Sequence, residues 1–109
     1  MINLKQKYLN ELYEIFGKYC PKAEIWAYGS RVNGDSHSGS DLDLTVKSFN
    51  VDGKYISKLK DLINDSDLPF LVDITDFEKL PESFKNEIHK NYIKIYPIQK
   101  PGNTPLLHK

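Results

Sequence analysis

Two aspartates one residue apart, in the run DLDLTV, are the first residues whose types and spacing could do chemistry. In a strand, residues i and i+2 point to the same face, so Asp41 and Asp43 would lie side by side. Two carboxylates this close raise each other's pKa unless a cation lies between them. If Asp73 faces the same way from a neighbouring strand, three oxygen donors are available, and such a set suits a hard divalent cation. The pattern therefore predicts a Mg²⁺ site at Asp41, Asp43 and Asp73.

A glycine–serine pair upstream of the aspartates supplies the second half of such a site. Mg²⁺ normally binds through one or two carboxylates together with a substrate's phosphates, so the site implies a phosphate-bearing ligand. Gly29 ends an apolar run, and a helical turn from Ser30 would present backbone N–H groups and a hydroxyl to an anion. Arg31 adds a planar cation that can bind phosphate. Ten residues, two of them glycines, separate Ser30 from Asp41 and let the loop fold back.

This constellation is suited to phosphoryl transfer. Two metal ions about 3.5–4 Å apart can clamp an in-line displacement at phosphorus. One ion, held by Asp41, Asp43 and Asp73, would activate the incoming hydroxyl. The other, held by Asp41 and Asp43, would bind a triphosphate and the leaving pyrophosphate. Asp73 could also take the proton from the attacking group.

Each of these residues also has an ordinary structural interpretation. Asp41 and Asp43 fit the solvated side of a half-buried strand, and Asp73 fits a strand end or a cap. Gly29 and Ser30 taken alone form a turn. These alternatives stay open residue by residue, but the combination of Gly-Ser with Asp-x-Asp at this interval favours the chemical interpretation.

Other residues whose side chains could bind a ligand are expected to lie in the core or on the surface without a role in binding. His37 lies in a loop of glycine and serine, where exposure is expected. Lys85 and His89 share one helical face, which is expected to face solvent, with nucleotide contact as the alternative. Trp26 and the tyrosines are expected in the core or at an interface rather than stacked on a base.

Helices and strands at regular intervals are predicted to position these residues. Leu42, Leu44 and Val46 alternate with the polar residues of DLDLTV and define a half-buried strand. A helical turn follows Ser30, and Pro97 restricts the last strand to an edge or an end. The predicted helices span 3–19, 55–63 and 81–92, and the predicted strands span 23–28, 41–46, 68–75 and 92–98. Their order predicts an α/β or α+β sandwich, with helices on one or both faces of a small sheet.

Length and composition limit the classes of protein to consider. The 109 residues fit one domain, predicted at 1–98 and followed by a flexible tail at 99–109. Lysine and arginine together number 15, as do aspartate and glutamate together, so the formal net charge is zero. This balance argues against nucleic-acid binding through bulk positive charge. Cys20 is the single cysteine, which excludes an internal disulfide and a cysteine-rich zinc site. No apolar run suits a signal peptide or a bilayer span, so we expect a cytoplasmic protein.

The stretch GSRVNGDSHSGSDLDL resembles the signature of the nucleotidyltransferase superfamily that shares its palm with DNA polymerase beta. That signature is Gly-Ser, ten residues, Asp-x-Asp and a third Asp on a later strand. In its small size and in the wording of this motif, the chain most resembles the minimal nucleotidyltransferases, the MntA-type antitoxins of bacteria and archaea. The resemblance spans residues 20–96 and departs from many relatives at Asn33, where they carry a second basic residue. It implies the palm fold, with a small mixed sheet of about four strands packed with about four helices.

By that resemblance the protein uses ATP and Mg²⁺. The Gly29–Ser30 pair would hold the triphosphate, Asp41 and Asp43 the metals, and Asp73 the third carboxylate position. Minimal members commonly accompany a helical HEPN-type partner, a ribonuclease toxin, and several are thought to silence it by moving AMP onto its tyrosine. The chain has no room for an acceptor-binding domain, so the acceptor must arrive on another molecule, and a hetero-oligomer is an allowed assembly. The Leu106–Leu107 pair is a candidate docking strip, with disorder as the alternative.

Three other functions stay open. A catalytically weak antitoxin module could bind nucleotide or protein without transferring a group. A small-molecule nucleotidyltransferase that modifies an antibiotic ranks lower, because known enzymes of that kind carry an extra helical domain. A template-directed polymerase ranks lower still, since no nucleic-acid clamp is visible in the sequence.

Overall fold

The computed structural model describes residues 2–34 and 39–98. The expectations for His37, for the tail 99–109 and for the Leu106–Leu107 strip lie outside these residues. The elements in chain order are α1 (Gln6–Tyr19), β1 (Glu24–Tyr28), α2 (Ser30–Asn33), β2 (Leu42–Ser48), α3 (Ile56–Asn64), β3 (Val72–Asp76), a 3-10 helix (Phe77–Lys79), α4 (Glu82–Lys90) and β4 (Ile93–Tyr96). The predicted order is confirmed, with the 3-10 helix added. None of the helices described here is both long enough and apolar enough to span a membrane.

The four strands form one mixed sheet in the order β3-β2-β1-β4. β2 and β3 run parallel, whereas β1 is antiparallel to both of its neighbours. A parallel pair needs a crossover connection, which α3 supplies between β2 and β3. β4 lies at an edge, as predicted from Pro97, which directly follows the last residue of the strand. The predicted α/β fold, a small mixed sheet of four strands packed with four helices, is confirmed.

The third strand is shorter than predicted. Its apolar run begins at residue 68, but β3 starts at Val72, because the ladder with β2 begins where Leu42 pairs with Val72. Upstream of that point Phe70 packs edge-on against Tyr8 of α1, with ring centroids 5.5 Å apart. Asp73 is therefore the second residue of β3, whereas the predicted strand 68–75 placed it near the end.

One face of the sheet carries the larger apolar core, covered by α1 and α3. α1 buries Leu12 and Phe16, and α3 buries Leu59 and Ile63, each pair at helical spacing. On β1, β2 and β3 the strand residues of this core alternate: Ile25, Ala27, Leu42, Leu44, Val46 and Ile74. β4 contributes the neighbouring residues Ile95 and Tyr96. The alternation predicted for β2 is confirmed on this face.

The opposite face carries a smaller core under α4 and the 3-10 helix. Its buried members are Trp26, Tyr28, Phe77 and Ile88. Thr45 lies on this side, where the sequence predicted a polar surface, yet it is fully buried. Its hydroxyl donates a hydrogen bond to the carbonyl of Thr75 at 3.2 Å, which makes its burial tolerable. Helices thus cover both faces, and the polar surface that remains lies toward the start of β2.

Candidate active site

Three strands place Tyr28, Asp43 and Asp73 in one row across the sheet. Asp43 is the register partner of Tyr28 on β1 and of Asp73 on β3. Directly paired residues project from the same face, so two carboxylates and a phenol lie side by side. Asp41 immediately precedes β2 and lies two positions before Asp43, on the same side of the chain. We call Asp41, Asp43 and Asp73 the aspartate row.

The aspartate row is a strongly negative site. Partial burial, followed by the charges of Asp73 and Asp41, raises the pKa of Asp43 above its ordinary value. Burial raises the pKa of Tyr28 to about 12, and the nearby charges of Asp43 and Asp73 push it in the same direction. Tyr28 therefore stays a neutral phenol near neutral pH, while the carboxylates repel one another. A cation among them would relieve that repulsion.

The donor set fits Mg²⁺, although not as a closed cage. Within residues 2–34 and 39–98, no three His, Cys, Asp or Glu side chains are grouped closely enough to hold an ion by themselves. Mg²⁺ commonly binds through one or two carboxylates and completes its coordination with water and substrate phosphates. Asp43 with either neighbour of the row supplies such oxygen donors. The row is therefore suited to an ion that shares its coordination with a phosphate ligand.

Gly29 joins the glycine–serine turn to the aspartate row. Its φ of 81° and ψ of −156° form a conformation that glycine alone adopts readily. A Cβ at this position would lie 3.1 Å from the Cγ of Asp43 and closer still to its Oδ2. The backbone of Gly29 thus abuts this carboxylate, and a ligand held at the turn would be within reach of the row.

The helical turn predicted after Gly29 is present as α2. The carbonyl of Gly29 accepts hydrogen bonds from the N–H groups of Val32 and Asn33 at 3.0 and 2.9 Å. The first amides of any helix have no acceptor within the helix and point outward, the arrangement that binds an anion. Ser30 lies at this start, so the structure brings the predicted turn and the aspartates into one site.

Arg31 makes contacts with the chain that the sequence did not predict. Its side chain is buried, at 4% exposed. The Nε and Nη2 atoms donate to the carbonyl of Ser40 at 3.0 and 2.8 Å, and Nη1 donates to the carbonyl of Asn3 at 2.8 Å. The guanidinium also lies 4.5 Å from the ring centroid of Phe70. A fork of donors suits backbone carbonyls as well as phosphate, and here it binds carbonyls in the segments before α1 and before β2.

Lys85 is partly buried against the smaller core, whereas His89 is exposed, as predicted, and its ring also contacts that core. The side chain of Lys85 is 18% exposed and lies 3.7 Å from the Glu78 carboxylate. His89 stacks on Phe77 with centroids 5.5 Å apart and meets Trp26 edge-on at 5.4 Å. Both residues therefore contribute contacts between α4 and the smaller core. The expectation that Trp26 belongs to a core is confirmed.

Tyr28 and Phe84 are site neighbours that the sequence analysis did not single out. Tyr28 directly precedes Gly29, and neighbouring residues of a strand point to opposite faces. Because Ala27 faces the larger core, Tyr28 must face the side of the aspartates. Its pairing with Asp43 could not be predicted, because it depends on the register of two strands. Phe84 of α4 meets Tyr28 edge-on, with centroids 5.8 Å apart, so α4 borders the site.

Comparison with known proteins gives three results. Residues 10–100 match the family model described as polymerase beta, nucleotidyltransferase. The chain is 33% identical over 105 residues to a probable protein adenylyltransferase MntA of Haemophilus influenzae, an alignment that covers 95% of this chain and 92% of the relative. The fold is similar to that of a crystal structure described as a toxin–antitoxin with AMP-PNP, with a TM-score of 0.62 and 22% identity over 79% of this chain and 70% of that chain.

Proposed function

The chain belongs to the polymerase beta nucleotidyltransferase family, and from that premise we propose that it is a Mg²⁺-dependent protein adenylyltransferase that acts as an antitoxin. Its homology to a protein adenylyltransferase MntA supports transfer of AMP from ATP. We assign the acceptor to a tyrosine of a HEPN-type toxin partner and the location to the cytoplasm, where ATP is available. The observation that carries the proposal is the contact between the backbone of Gly29 and the carboxylate of Asp43.

Each part of the site has a role in this proposal. Gly29 and Ser30 bind the triphosphate through the outward N–H groups of the turn and the serine hydroxyl. The aspartate row would hold Mg²⁺, which when bound offsets phosphate charge and polarises the phosphorus centre. The catalytic unit is residues 1–98, and the acceptor comes from another molecule.

The reaction balances as a direct displacement. The acceptor oxygen attacks the α-phosphorus of ATP, and the bond between that phosphorus and the α–β bridging oxygen breaks. Pyrophosphate leaves with the electron pair, and Asp73 takes the acceptor's proton and passes it to water. Tyr28 is a poor acceptor, because its side chain is only 8% exposed.

Labelled ATP tests this proposal directly. ATP with a labelled α-phosphate, Mg²⁺ and a HEPN-type toxin are incubated with each variant, and label on the toxin is measured. Asp41→Asn/Asp43→Asn is expected to reduce labelling by at least about 100-fold, beyond the effect of altering a metal's outer shell. Asp61→Asn, an exposed aspartate of α3, is the matched control and keeps wild-type labelling. Equal labelling by the wild type and the double variant would contradict the assignment of the aspartates to the active site. Absence of labelling with both proteins would contradict the assignment of the toxin as the acceptor.

A catalytically weak antitoxin module that binds nucleotide or the toxin is the second candidate. It is favoured by the position of Arg31, a buried side chain whose donors bind the carbonyls of Ser40 and Asn3. This candidate predicts that the same double variant still neutralises the toxin in a growth assay. Loss of neutralisation in that assay would decide for catalysis.

A further inference from the structure

A cleft of about 560 Å³ opens beside the glycine–serine turn, between α2 and α4. Tyr28 and Gly29 line it on the sheet side, and Phe84, Ile88 and Asn91 line it on the side of α4. The volume lies in the range of small-molecule sites, about 300–1,000 Å³. Because Gly29 belongs to both the cleft and the turn, a ligand whose phosphates bind at the turn would have the cleft directly beside it.

Two aromatic rings form one wall of the cleft. Phe84 meets Tyr28 edge-on, at an interplanar angle of 83°. Tyr28 is 8% exposed and Phe84 is 39% exposed, so the inner ring fixes the outer one while leaving part of it open to a ligand. Ile88 is buried beneath them. A partly open aromatic ring of this kind is a platform on which a planar base can stack.

An amide pair joins the two sides of the cleft. The Nδ2 of Asn91 donates a hydrogen bond to the Oδ1 of Asn33, linking the end of α4 to the end of α2. Each amide has both donor and acceptor atoms, so the Nδ2 of Asn33 and the Oδ1 of Asn91 can still bind a ligand. A donor beside an acceptor is the pattern that complements the N7 and 6-amino groups of adenine.

The charges on the cleft argue that its occupant is not the triphosphate. Lys90 and Glu87 line the cleft and form an ion pair, with Nζ 3.0 Å from Oε2. Since the two charges cancel, this pair offers a polyphosphate no net attraction. The cleft therefore suits the uncharged part of a nucleotide.

We propose that this cleft binds the purine nucleoside of the nucleotide substrate, with Phe84 stacked on the base and the Asn33–Asn91 pair at its edge. The inference rests on the proposed function, because it takes the phosphates to lie at Gly29 and Ser30. It extends that function by assigning the choice of base to residues of α4 and of the end of α2.

Phe84→Leu separates nucleoside binding from phosphate binding. Equilibrium binding with Mg²⁺ present compares ATP, CTP and inorganic tripolyphosphate. The variant is expected to bind ATP roughly tenfold more weakly, as when one base–aromatic stack is lost, and tripolyphosphate as the wild type does. Phe84→Trp keeps a stacking ring and keeps ATP affinity. Tyr55→Leu is the control, because Tyr55 is 63% exposed and does not line the cleft.

Asn91→Leu tests the choice of base. It removes one amide of the pair, so we expect the preference for ATP over CTP to fall by about fivefold or more, the discrimination that a base-edge contact provides. Binding of tripolyphosphate is again expected to match the wild type.

Two outcomes would overturn the inference. The first is unchanged ATP affinity in Phe84→Leu, and weaker labelling of the toxin alongside it would make the cleft an acceptor surface. The second is an equal loss of affinity for ATP and tripolyphosphate, which would make the cleft a phosphate site. Binding is measured without transfer, so absence of labelling with intact base selectivity would defeat the proposed function alone.

Discussion

Asp43 is expected to destabilise the folded protein when Mg²⁺ is absent. Its pKa is raised by partial burial and by Asp73 and Asp41, so the folded chain holds this proton more tightly than the unfolded chain does. The free energy of unfolding therefore falls as pH rises from the ordinary to the raised pKa, and the penalty is complete above the raised pKa. We expect Asp43→Asn to raise the Tm of the Mg²⁺-free protein by about 2–4 °C, which corresponds to roughly 0.5 kcal/mol.

Magnesium distinguishes this effect from a general change in stability. Mg²⁺ is expected to raise the Tm of the wild type and to have little effect on Asp43→Asn, since the amide cannot replace the carboxylate as a ligand. Asp61→Asn keeps the wild-type Tm and the wild-type response. A lower Tm for Mg²⁺-free Asp43→Asn would contradict the assigned repulsion.

At the scale of elements, Arg31 ties α2 to two other segments. It donates to the carbonyl of Ser40, immediately before Asp41, and to that of Asn3, whose N–H donates back to the Arg31 carbonyl at 2.7 Å. A lysine keeps the charge but cannot serve both carbonyls and stack on Phe70. We expect Arg31→Lys to lower the free energy of unfolding by about 2–3 kcal/mol, measured by urea denaturation followed by circular dichroism.

The same substitution separates the clamp from the phosphate contact expected from the sequence. A phosphate ligand replaced by lysine would raise the KM for ATP and leave stability intact. A clamp replaced by lysine lowers stability and weakens Mg²⁺ binding, because Ser40 no longer holds the position of Asp41. Lys58→Ala, an exposed cation on α3, is the surface control and is expected to change stability by less than about 0.5 kcal/mol. If Arg31→Lys keeps the wild-type stability but has a raised KM for ATP, Arg31 binds phosphate, as the sequence predicted.

Local periodicity predicted the elements, and contacts between distant residues account for what it did not predict. The alternation around Asp41 and Asp43 and the Gly29 turn depend on neighbours in sequence, so their geometry could be predicted. The first and last residues of β3 depend on which of its residues pair with β2. The Arg31 clamp reaches Asn3, 28 residues away, and the bond between Asn33 and Asn91 spans 58 residues. Register and such long-range pairs exist only once the sheet has formed.

For the whole molecule, the sheet couples the two cores and, through them, the site. Along β1, Ile25 and Ala27 belong to the larger core, and Trp26 and Tyr28 belong to the smaller one. Removing either helical layer would therefore expose apolar residues of the same strand. Since α4 also borders the cleft beside Gly29, order in the smaller core is a condition for the nucleoside site.

Trp26 allows this coupling to be measured. It is the only tryptophan in the sequence and stacks on Tyr92 with centroids 4.0 Å apart, so its fluorescence reports the smaller core. Far-UV circular dichroism instead reports the helices, including α1 on the other face. We expect one urea transition with both signals and a free energy of unfolding of roughly 5–15 kcal/mol, because neither layer is stable without the shared sheet. ATP with Mg²⁺ should raise both midpoints equally. A fluorescence midpoint below that of the dichroism would mean that α4 unfolds first, and the coupling would then be wrong.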